Sequence, residues 1–195
     1  MAGWKVGGVT ELSEPRFDWA HPVTGKPIPV VVTTLVVVGL LGWRVGLSPV
    51  LPAFLYLGVV GVLLTFIDIA LKRLPDLLTL PSYGFGMALL ALAFDGGRFV
   101  HALIGMVALF LLYAVQWLIV PSQLGMGDVK LSGVLGLYLG WLGLSAWMTG
   151  VIAGFFLGGL YAITLLVTRR ATRKSSIPFG PFMLAGALLG IMLYA

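Results

Sequence analysis

The chain is 195 residues long, 59% hydrophobic and 10% charged, with a formal net charge of +5 and a mean hydropathy of +1.07. A soluble domain carries about 25% charged residues, so this balance excludes one and implies an all-α polytopic membrane protein with no large soluble domain. There is no cysteine, and His21 and His101 lie far apart, so no disulfide, metal site or cofactor is expected; the basic residues fall between apolar runs instead of forming one face, which argues against nucleic acid.

Residues 1–29 carry Glu11, Glu14, Asp18 and four prolines. They lack the basic start and early apolar run of a secretory signal, and are read as an uncleaved cytosolic segment. Residues 30–195 then form one transmembrane domain. Its apolar stretches suggest about seven membrane helices (six to eight), at about 30–46, 50–70, 77–94, 99–120, 129–146, 148–168 and 177–195, each near the roughly 17–25 residues that a bilayer requires. Counting from a cytosolic N-terminus, Lys5, Arg16, Lys26, Lys72, Arg73, Lys130, Arg169, Arg170, Arg173 and Lys174 fall inside, and Arg44 and Arg98 outside. The bias is the positive-inside pattern of a cytoplasmic-membrane protein.

Two aspartates stand out against this apolar background, Asp68 in FIDIALKRLPD and Asp128 in GMGDVKL. A carboxylate at membrane depth costs about 2.5–3.5 kcal/mol, and persists where it pairs, meets water or does chemistry. The alternation of spans brings both to the cytosolic face. Gly58, Gly61 and Thr65 share a helical stripe with Asp68, and Ser132, Gly133, Gly136, Gly140 and Gly143 follow Asp128 at helical steps. Small stripes permit close helix packing; packing these two stripes together would bring the acids into range, the alternative being that the glycines serve packing against other helices. Two adjacent carboxylates cannot both ionise cheaply, so such a pair holds one shared proton, a state suited to hydrolysing a peptide bond. No Ser/His or Cys/His arrangement competes.

The run Ile67, Asp68, Leu74, Pro75, Asp76, Leu78, Thr79, Pro81, then Gly125, Gly127, Asp128, Lys130, Leu131, and the tail IPFGPFMLAGALLG from Ile177 to Gly190 resemble the prepilin peptidase (type IV leader peptidase) family of GxGD aspartic membrane proteases. The resemblance covers some three quarters of the chain. It implies that Asp68 and Asp128 are the catalytic pair, cutting the basic leader from prepilins or pseudopilins at the cytosolic face of the cytoplasmic membrane. The larger members also bear a cysteine-containing loop and methylate the new N-terminus. This chain has no cysteine, and Trp43 to Pro49 is too short to hold that loop, so peptidase activity alone is expected.

Around the acids, Asp76 is expected to cap a helix start. Gly125 and Gly127 are expected to leave open backbone beside Asp128. Lys130 is read either as a cation acting on Asp128 or as a snorkelling side chain. Pro178, Gly180 and Pro181 are expected to border the site and offer backbone groups to an extended substrate. Asp95, Arg98 and His101 are read as outer-face residues, and the tryptophans as interface anchors or packing groups. The competing functions are an ion- or proton-coupled transporter, which more often holds its acids near the midplane, and a noncatalytic subunit of a pilus or secretion assembly.

Overall fold

The structure is a computed structural model that describes residues 20–25, 27–120, 124–169 and 177–195. Lys5, Arg16, Lys26, Arg170, Arg173 and Lys174, and the segment 1–19, lie outside the described residues. Within them the chain is helical: α1 (His21–Thr24), α2 (Pro27–Val45), α3 (Leu51–Leu71), α4 (Asp76–Ala91), α5 (Gly96–Ile119), α6 (Met126–Leu142), α7 (Leu144–Val167) and α8 (Gly180–Tyr194). Four of these, α2, α3, α5 and α7, are long and apolar enough to cross a membrane. The other three apolar helices are shorter, α4 at 16 residues, α6 at 17 and α8 at 15; at 1.5 Å per residue such helices span about 25 Å, somewhat less than a hydrocarbon core of about 30 Å. The protein is a multi-pass membrane protein.

Local chemistry sets the helix ends. Lys72 takes a left-handed conformation at φ 51°, and its N–H closes α3 on the Asp68 carbonyl at 2.8 Å. Asp95 caps α5 by accepting the Arg98 N–H at 3.0 Å. Gly143, at φ 107°, separates α6 from α7, several residues before the position expected from hydropathy. That backbone angle is one that a side chain strains and glycine tolerates, whereas hydropathy alone runs smoothly through the break.

The centre of the molecule is α6. From Asp128 to Trp141 every residue except Lys130 is buried, as expected for a helix enclosed on all sides. Its glycines meet α5: a Cβ on Gly105 would lie 2.6 Å from the Gly136 carbonyl, and one on Gly140 would lie 2.6 Å from the His101 carbonyl. A second close seam joins α7 to α8, where Gly186 abuts Gly150 and Gly154, and Gly190 faces the Ala146 carbonyl. The expected meshing of the α3 and α6 stripes is therefore corrected. Gly58 faces Leu41 of α2, Gly61 faces Leu184 of α8, and Gly133 lies under the Tyr83 hydroxyl of α4. Between α3 and α6 the contact is made by large side chains, with the Phe54 and Tyr138 rings edge to face at 5.6 Å.

Cross-helix bonds identify the two ends of the bundle. At one end Gly180 of α8 bonds to Asp68 of α3, and Lys130 of α6 pairs with Asp76 of α4. At the other, Arg44 of α2 donates to the carbonyls of Met192 and Leu193 at the close of α8, at 2.6 and 3.1 Å.

Candidate active site

Asp68 lies in the last turn of α3 and Asp128 in the first turn of α6, so the antiparallel course of these helices delivers both acids to the same end of the bundle. Their relative exposures are 4% and 8%. Each carboxylate is held by one backbone donor through Oδ2. Gly180 N–H donates to Asp68 at 3.0 Å, and Gly125 N–H donates to Asp128 at 3.1 Å. The second bond reaches back from the first turn of a helix to the residue that precedes it, the acidic half of a capping box. The charges of Asp68 and Asp128 are within electrostatic reach of each other. Among the described residues no other hydrogen bond reaches either carboxylate. Among the described residues the sealed polar atoms without a partner are Ser48 Oγ, Tyr138 Oη and Trp141 Nε1, so the remaining oxygen of each acid is not sealed in. Two oxygens thus remain open to water or to an incoming group.

Glycine at three of the surrounding positions follows from space. A Cβ on Gly180 would sit 2.8 Å from Asp68 Oδ2, one on Gly125 would sit 3.2 Å from Asp128 Oδ2, and one on Gly127 would sit 2.9 Å from Leu74 Cβ. Gly127 therefore lets the linker between α3 and α4 lie directly on the start of α6. Pro178 stands in the non-helical stretch before α8, and Pro181 follows Gly180 in its first turn. This tail borders Asp68, and the Gly180 N–H is already engaged by that carboxylate.

Asp76 and Lys130 have different partners from those expected. Asp76 occupies the first position of α4, whose capping residue is Pro75 with no side-chain cap. Both oxygens of Asp76 accept from Lys130 Nζ, at 2.7 and 2.8 Å. The lysine thus ties α6 to α4, with Asp76 as its ion-pair partner. Tyr83 reinforces the same junction by donating to the Lys130 carbonyl at 2.6 Å.

Three aromatic residues not singled out in the sequence flank the acids. The Tyr113 ring stacks on Phe155 at 5.3 Å and lies 6.2 Å from Phe179, the residue before Gly180. Tyr113 is within electrostatic reach of Asp128. Phe179 stands inside the tail motif and was legible there, whereas Tyr113 and Phe155 sit in unremarkable apolar runs. Asp95, Arg98 and the Arg44 cluster lie at the opposite end of the helices.

Comparison with known proteins is consistent across the chain. A model described as the type IV leader peptidase family matches residues 54–163, more than half of the sequence. A prepilin leader peptidase/N-methyltransferase of Aeromonas salmonicida (strain A449) is 33% identical over 144 residues, covering 72% of this chain and 48% of that protein. A protein of the same name from Neisseria gonorrhoeae is 34% identical over 155 residues, covering 76% and 51%, and one from Pseudomonas aeruginosa is 30% identical over 177 residues, covering 86% and 59%. The chain spans about half the length of the curated relatives it matches. No solved structure matches it.

Proposed function

Because the chain belongs to the type IV leader peptidase family, we propose that it is an aspartic endopeptidase that removes the basic leader from type IV prepilins or pseudopilins, with Asp68 and Asp128 as the catalytic pair. The observation that carries this reading is the convergence of two buried carboxylates, 60 residues apart in sequence, each fixed by one backbone N–H with one oxygen left over. The ionised member takes a proton from water as the water oxygen attacks the scissile carbonyl. The protonated member polarises that carbonyl, and then gives its proton to the departing amine. Electrostatic coupling between the two keeps one proton on the pair.

The orientation is part of the same proposal. Lys72, Arg73, Lys130 and Arg169 belong to the end of the bundle that carries the acids, which by the positive-inside rule faces the cytosol. Residues 1–29 are then a cytosolic segment, and residues 30–195 the peptidase domain in the cytoplasmic membrane. A basic leader would stay in the cytosol while the apolar segment after it lies in the bilayer, presenting the junction at the level of the acids. The test is to reconstitute the purified chain with a prepilin and read the product by mass spectrometry. Asp68→Asn and Asp128→Asn should each lower the rate by about 100-fold or more while preserving helix content. Undiminished cleavage in either variant removes that residue from the mechanism.

A further inference from the structure

We propose that the groove between α2, α3 and α8 is the docking surface for the apolar helical segment of the substrate that adjoins the cut bond. This rests on the peptidase reading and adds where the substrate lies. The groove is partly open, with a volume of about 190 Å³, and is lined by Thr33 of α2, Leu57, Gly61 and Thr65 of α3, and Pro181 and Ala185 of α8, among others. From Leu57 to Thr65 it follows α3 for about 12 Å.

Its inner end meets the candidate catalytic centre. Thr65 is one turn before Asp68 on the same face of α3, and Pro181 follows Gly180, whose N–H holds the Asp68 carboxylate. A segment lying in the groove therefore delivers its end to Asp68. The lining is uncharged, and the Thr65 hydroxyl is spent on the Gly61 carbonyl of its own helix at 2.8 Å, so the surface selects an apolar partner. Side chains of a helix laid along the groove fit this volume, in the manner of an amphipathic helix anchored through one ridge.

The helix that shuts the groove is weakly held. Only Val30 and Leu41 of α2 are buried. Among the described residues its hydrogen bonds to other helices are those of Arg44 to the end of α8, at the far end of the bundle from the acids. Among the described residues the half of α2 nearest Asp68 makes no hydrogen bond to another helix, so an arriving helix can displace it there.

The chain has no cysteine, which makes cross-linking direct. Thr33→Cys and Ala185→Cys, with Ile163→Cys on the exposed face of α7 as control, are made in an Asp128→Asn background. Each is reconstituted in phosphatidylethanolamine/phosphatidylglycerol vesicles with a type IV prepilin carrying single cysteines along its apolar stretch, and then oxidised. Disulfide adducts at the two groove positions should exceed those at the control by about tenfold and recur at helical spacing along the pilin. Adducts no more frequent than the control's, as for a groove filled by lipid, overturn the proposal. A second arm fills the groove: Ala185→Trp in the otherwise unaltered chain should raise KM about fivefold or more with kcat held within about twofold, and an unchanged KM counts against docking. If groove adducts form but the unaltered chain never shortens the prepilin, the peptidase reading falls and the docking surface stands; shortening without groove adducts overturns the docking surface alone.

Discussion

At Gly180 the missing side chain is a matter of clearance, because a methyl group there would press on the Asp68 oxygen that the backbone N–H of the same residue holds. Gly180→Ala should therefore displace one acid from its partner and lower kcat about tenfold or more with little change in KM, measured by steady-state cleavage of a prepilin. The sequence pointed instead to an effect on substrate affinity. Composition can mark a glycine in a Pro-Gly-Pro cluster, but its neighbour here lies 112 residues away and local pattern carries no sign of it. The acids themselves were legible, since a carboxylate in an apolar helix is conspicuous. The partner of Lys130 was not, because Asp76 is 54 residues distant. That ion pair has side chains 28% and 57% exposed, so it contributes less than about 1 kcal/mol. Asp76→Lys and Lys130→Asp should each lower the thermal midpoint slightly, and the double variant should recover most of the loss in a double-mutant cycle.

Helices and their small-residue faces could be read from sequence with fair accuracy, but the pairing of those faces could not. A glycine stripe reports that some backbone comes close without saying which, and here the α6 stripe meets α5 while the glycines of α3 meet side chains of α2 and α8. The seam of Gly150 and Gly154 with Gly186 on α7 and α8 carries the same spacing, which names no partner either. At the α5–α6 crossing a Cβ on Gly136 meets the Gly105 carbonyl and would lie 2.9 Å from Leu109 Cβ. Gly136→Leu must force the two backbones apart and should cost about 2 kcal/mol or more, seen as a lower unfolding midpoint in detergent. Gly84→Leu, at a position with open space around it, should leave that midpoint nearly unchanged.

For the whole molecule, hydropathy recovered the all-helical membrane class and seven helices in succession, four of them long enough to cross by themselves and three shorter. Among the shorter ones α6 is the most enclosed by protein. The alternation has a direct check in a chain free of cysteine. Arg73→Cys and Met126→Cys should react with an impermeant thiol reagent from the cytosolic side of oriented vesicles, and Leu47→Cys and Gly97→Cys from the opposite side. Arg73→Cys and Met126→Cys labelling from different sides would separate the two acids and end the peptidase reading. The enclosure of α6 also bears on how the protein is made. A helix of 17 residues that carries an acid, a lysine, four glycines and almost no surface for lipid has poor prospects as a solitary newcomer in a bilayer. Its close approach to α5 at Gly105, Gly136 and Gly140 is the shelter a hairpin of the two would give it, so a chain cut after Leu142 should insert α6 in the presence of α5 and fail to insert it without α5.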